Sequence, residues 1–106
     1  MLEAEERHPS WDTEQLEYLV DAIWSAKTRG ELRDFLRDLC TLSELDAMAH
    51  RWHVARLLDE GLPYLEISKR TGASTATVTR VAQWVRHGEG GYRTALERIR
   101  RARKRA

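Results

Sequence analysis

The side chains best suited to act on a partner molecule lie in one run, Ser74-Thr75-Ala76-Thr77-Val78-Thr79-Arg80. Threonine is β-branched and a mediocre helix former, so a helical stretch with three threonines in seven residues is chosen for its surface chemistry more than for stability. That chemistry suits the base edges of a DNA major groove. Short side chains let the backbone come close, and a threonine hydroxyl can bond to base or phosphate while its methyl meets thymine. Lys69 and Arg70, just upstream, and Arg80 supply cations for phosphate. A helical hairpin with a glycine turn also occurs in many proteins that never touch DNA, so the spacing alone does not decide.

The elements that would hold this run extend from Gly61 to Gly88. Pro63 is expected just inside the start of a first short helix, where its missing N–H costs nothing, with Leu65 and Ile67 as apolar anchors. Gly72 can take φ > 0, ending that helix and letting a second leave at a steep angle. Ser74 is a good N-cap for the second helix, read as residues 74–87. Along it Val78, Val81 and Val85 form an inward stripe, while Thr75, Ala76, Thr77, Thr79, Arg80 and Gln83 lie off it.

Charge reinforces the placement. Residues 1–60 carry 14 Asp or Glu against 7 Lys or Arg, whereas residues 61–106 carry 3 against 11, so a net charge of only +1 hides a basic half that contains the hairpin. Segregated positive charge is the footprint of a phosphate-binding surface.

Other chemistries find little support. The single cysteine, Cys40, excludes an intramolecular disulfide and a cysteine-based zinc site within one chain. His50 and His53 stand at i, i+3 without a third ligand nearby and read as surface histidines, so no metal or other cofactor is expected. No Ser-His-Asp, Cys-His or phosphate-loop pattern is present, and no catalytic residue is assigned. No apolar run approaches the roughly 20 residues that span a bilayer, and the N-terminus carries no signal segment, so a cytoplasmic protein is expected.

The remaining elements are helical. Residues 1–11 read as a loose leader. A first helix from Asp12 or Thr13 carries Leu16, Leu19, Val20, Ile23 and Trp24; a second, opened by a Thr28/Glu31 capping box, carries Leu32, Phe35, Leu36 and Leu39. A third starts at a Thr41/Glu44 box, or at Ser43, and runs to Glu60 with Leu45, Met48, Ala49, Trp52, Ala55 and Leu57 or Leu58 on its apolar side and Gly61 as its stop. After the hairpin, Gly88, Gly90 and Gly91 make a joint, and a sixth helix from about Tyr92 places Tyr92, Ala95, Leu96 and Ile99 on one face before a basic tail, 100–106. The fold class is all-α with no strand, and one domain spans 12–99.

The Leu-Cys-Thr-Leu-Ser-Glu-Leu lead into the third helix, the Thr-Gly-Ala-Ser-Thr-Ala-Thr-Val-Thr-Arg block and the trailing Gly-Gly-Tyr with Ala95-Leu96-Glu97-Arg98 resemble the Trp-repressor superfamily, in particular its YerC/YecD branch, over residues 14–99. The resemblance implies a six-helix, intertwined homodimer with a helix-turn-helix reading head. Independently, the apolar stripes exceed what one small chain can hide, which also points to a homodimer. The resemblance further implies an effector pocket in which Arg51 and Arg80 hold an amino acid beside Thr41. Here Val81 and Trp84 stand where that pocket keeps a glycine and a serine, so the expectation is a filled pocket and no control by tryptophan. Two functions compete: a homodimeric, sequence-specific regulator of double-stranded DNA, expected to be a repressor, with Lys69, Arg70, Ser74, Thr75, Ala76, Thr77, Thr79 and Arg80 at the DNA; and a helical protein-interaction module, docking through the acidic half, that binds no DNA.

Overall fold

Hydroxyl side chains start four of the six helices in the computed structural model, which describes residues 10–105. Thr13 Oγ1 accepts from Leu16 N at 3.1 Å to open α1, Glu14–Trp24. Thr28 Oγ1 accepts from Glu31 N at 3.1 Å to open α2, Arg29–Leu39, while Glu31 Oε1 reaches past the cap to Lys27 N at 2.8 Å. The Thr41/Glu44 box closes in full: Thr41 Oγ1 accepts from Glu44 N at 3.1 Å and Glu44 Oε1 from Thr41 N at 2.8 Å, opening α3, Leu42–Asp59. Thr41, not Ser43, is the cap.

Gly61 ends α3 as expected. At φ 86° it donates to Leu58 O at 3.0 Å and Leu62 donates to Leu57 O at 3.3 Å, the paired bonds of a Schellman motif. Pro63 falls one place earlier than expected. Its ψ of 150° is extended, so it stands at the N-cap of α4, Tyr64–Thr71, and its carbonyl accepts from Ile67 N at 3.0 Å. The second helix of the hairpin is α5, Thr75–His87, and the last helix is α6, Gly91–Arg105. The arginine-rich residues 100–105 form the last turns of α6 rather than a separate segment. Arg, Lys and Ala are good helix formers, and Arg101 pairs with Glu97 one turn back at 3.4 Å.

The chain divides into two units, 1–45 and 46–106. The first contains α1, α2 and the opening turn of α3. None of its described residues is buried: Leu16, Leu19, Leu32, Phe35 and Leu36 are half-covered, while Val20, Ile23, Leu39 and Leu42 are exposed and Trp24 is 86% exposed. The leader expected over 1–11 lies outside the described residues up to Pro9; Trp11 O accepts from Thr13 N at 3.0 Å.

The second unit holds every buried apolar residue the structure describes. Val54, Ala55 and Leu57 of α3, Ile67 of α4, Ala73 of the turn and Val78 and Val81 of α5 make one cluster, with Ala82 and Leu96 also buried. Trp52 stacks on Tyr92 with ring centroids 6.2 Å apart and planes 4° from parallel, joining α3 to α6. Two sequence expectations fail here. Leu65 is 69% exposed and anchors nothing, because residues two apart on a helix point about 200° apart and Ile67 takes the inward direction. On α3 the core is Val54, Ala55 and Leu57, while Met48 and Ala49 stay exposed, because α3 is apolar on more than one side and only its C-terminal turns are covered here.

Candidate nucleic-acid interface

The turn between α4 and α5 is fixed by its own hydrogen bonds. Gly72, at φ 78°, donates to Ser68 O at 2.9 Å. Thr71 Oγ1 donates to Ile67 O at 2.8 Å and accepts from Ala73 N at 3.1 Å, and Ser68 Oγ donates to Ala73 O. With Ala73 buried, these bonds set the direction in which the backbone enters α5.

Ser74 caps α5, accepting from Thr77 N at 3.1 Å, and its hydroxyl also meets Thr77 Oγ1 at 3.1 Å. These two hydroxyls are therefore turned to each other, and Thr77 is half-buried. Ala76, Thr79 and Arg80 are exposed on the face opposite Val78 and Val81, which are 0% and 4% exposed, and Thr75 is exposed at the edge of that face in the first turn. The helix thus presents a smooth, small-residue surface at its N-terminal end, where unpaired N–H groups and the helix dipole also favour a phosphate. On α4, Lys69 and Arg70 are exposed; Arg70 bonds to Glu66 at 3.0 Å, an exposed pair worth about 0.3–0.5 kcal/mol that phosphate can displace.

The far end of α5 is clamped by residues whose roles carry no sequence signal. Arg86 Nη2 donates to the Tyr64 hydroxyl at 3.0 Å, tying α5 to α4 across 22 positions. Arg93, at the start of α6, donates to Val85 O at 3.1 Å and Arg86 O at 2.7 Å, satisfying carbonyls that the end of a helix leaves open. At Gly88 a Cβ would lie 2.5 Å from the Trp84 carbonyl, so the chain leaves α5 through a gap only glycine fits.

Beside α5 a cleft of about 310 Å³ is lined by Arg51, Thr77, Arg80, Val81, Trp84 and Tyr92. The structure thus brings together three of the four residues named for an effector pocket, Arg51, Arg80 and Trp84, while Thr41 is engaged in capping α3. The expected filling is absent. Val81 turns into the core and Trp84, on the flank of α5, is 58% exposed and forms a wall, leaving the cleft open. Among the described residues no group of three His, Cys, Asp or Glu converges as metal ligands would, and no helix is long and apolar enough to cross a membrane.

Comparison with known proteins agrees with this architecture. The family described as Trp repressor protein matches residues 14–100. The chain is similar to the uncharacterized protein YerC of Bacillus subtilis (strain 168), 42% identical over 86 residues that cover 81% of this chain and 83% of the relative. A Trp operon repressor homolog of Pasteurella multocida (strain Pm70) is 32% identical over 78 residues, covering 73% and 76%. The crystal structure of a TrpR-like protein from Eubacterium eligens ATCC 27750 superposes with a TM-score of 0.79 at 39% identity, covering 87% of this chain and 95% of that one.

Proposed function

The chain belongs to the Trp repressor family of DNA-binding regulators, and on that premise we propose that it is a homodimeric, sequence-specific transcriptional repressor that lays α5 in the major groove. The observation that carries this reading is the exposed Thr75, Ala76, Thr79 and Arg80 face on a helix fixed at both ends. A reading helix must arrive with its side chains already placed, since ordering them on binding would consume affinity. Thr75, Ala76 and Thr79 meet base edges, while Lys69, Arg70, Ser74, Thr77 and Arg80 contact or position phosphate. The outer face of α6, where Arg98, Arg101 and Lys104 are exposed, adds further phosphate contacts.

Dimerisation is supported by the first unit, whose apolar stripes bury no described residue within their own chain. A second copy supplies the cover, and two-fold symmetry sets two heads about 34 Å apart to meet successive major grooves. Tryptophan is not the switch in this reading. The head is held by Ser68, Arg86 and Arg93 through bonds internal to the chain, so no ligand is required to bring α5 into place. A mobility-shift titration of the purified protein against random and enriched duplexes, without tryptophan, tests the proposal. Binding that strengthens on enriched sequence supports it, and no shift on any duplex at low salt leaves the interaction-module reading in its place.

A further inference from the structure

We propose that Gln83 reads a base, selecting adenine two helical turns beyond the short residues at the start of α5. The inference rests on the DNA-binding reading above and names a determinant which that reading does not include. Ala76 and Gln83 are seven residues apart, about 700° of rotation, so the two directions agree within roughly 20°. Both are exposed, with Thr79 between them on the same side and buried Val78 and Val81 opposite. The line Ala76, Thr79, Gln83 therefore runs along the middle of the face that enters the groove.

Side-chain length changes along this line in the way a docked helix demands. A straight helix entering a curved groove lies closest at its N-terminal end, where alanine and threonine fit, and its axis draws away from the base edges further along. A residue in the third turn must reach further, and glutamine does. The rise from residue 76 to residue 83 is about 10.5 Å, or about three base-pair steps of 3.4 Å, so Gln83 meets a base pair separate from the one under Ala76. Its primary amide offers a donor and an acceptor side by side, matching N7 and the N6 amino group of adenine, a pattern no other base presents in the major groove. Neither group is engaged within the chain: the Gln83 side chain makes no hydrogen bond to any described residue, unlike those of Ser74 and Thr77 on the same helix.

The test is selection from a randomised duplex library with the full-length wild-type protein and the variants Gln83→Ala and Gln83→Lys. Because Gln83 is exposed and its side chain makes no hydrogen bond, both variants should keep the fold, which circular dichroism verifies. The wild type should enrich a motif with adenine at one position of each half-site. Gln83→Ala should lose the preference at that position alone and weaken binding roughly 5- to 150-fold for each wild-type half-site. Gln83→Lys should exchange adenine for guanine, whose O6 and N7 accept from the ammonium. A clear wild-type motif that all three proteins share at every position overturns the role of Gln83 and leaves the DNA-binding reading standing. A wild type that enriches no sequence overturns both.

Discussion

Gly72 carries the hairpin in a single backbone angle. At φ 78° with open space around the position, an added Cβ meets no neighbour, so Gly72→Ala isolates conformational strain from packing. It should destabilise the chain by about 1–2 kcal/mol, read as a lower urea midpoint at unchanged slope. Gly88→Ala is the opposite case: φ is ordinary, but the Cβ runs into the Trp84 carbonyl, so the backbone leaving α5 must shift. DNA affinity should then fall by more than unfolding data alone account for. For base readout, Thr79→Leu should cost roughly 1–3 kcal/mol on the specific site and leave random DNA binding nearly unchanged, as measured by parallel titrations. Equal loss on both DNAs would assign Thr79 to the fold alone. Gly61, Gly72 and Ser74 were legible in sequence because each acts within four residues of itself. Leu65 was misread because composition marks a residue as apolar without saying which way it points.

At the scale of the element, the capping hydroxyls of Thr28, Thr41 and Ser74 announced three helix starts to within a residue, since the bonds that make them are local, and apolar spacing placed the start of α1. The clamps on α5 were not legible. Arg86 to Tyr64 and Arg93 to two carbonyls depend on where the chain returns in space, and an arginine in sequence looks the same whether it grips a helix end or faces solvent. Likewise the open cleft beside Trp84 follows from the angular position of a side chain, which a residue's bulk does not give. The continuation of α6 has a measurable consequence. Held on a rigid helix, Arg98, Arg101 and Lys104 lie at i, i+3 and i+6 and can follow a phosphate backbone together. Replacing all three by Gln should lower the slope of log affinity against log salt by about 2.7 per bound subunit, about 5.4 for the proposed dimer, at roughly 0.9 per lost phosphate contact, on specific and random DNA alike. An unchanged slope would place these cations away from the DNA.

For the whole molecule, the expected species is a dimer. Sedimentation at micromolar concentration should give twice the 12.3 kDa chain mass, and a persistent monomer would remove the basis for symmetric half-sites. Calorimetric titration with millimolar L-tryptophan should show no saturable heat and no change in DNA affinity. A tenfold gain, about 1.4 kcal/mol of coupling, would instead make the cleft with Arg51 and Arg80 a working switch. The all-α class was readable from helical periodicity. The uneven division of the core was not, because Leu16, Leu32 and Phe35 look in sequence as interior as Ile67 and Val78 do.

That division links the protein's abundance to its action. In the proposed dimer α1 and α2, none of whose described residues is buried within its own chain, would gain stability from the second copy by mass action. Under dilution the dimer and the order of α1 and α2 should fail together, giving a melting temperature that climbs with concentration. Operator occupancy by such a dimer would, in the dilute regime, rise with the square of the number of chains, so a cell making this protein slowly would see little effect before a comparatively abrupt onset.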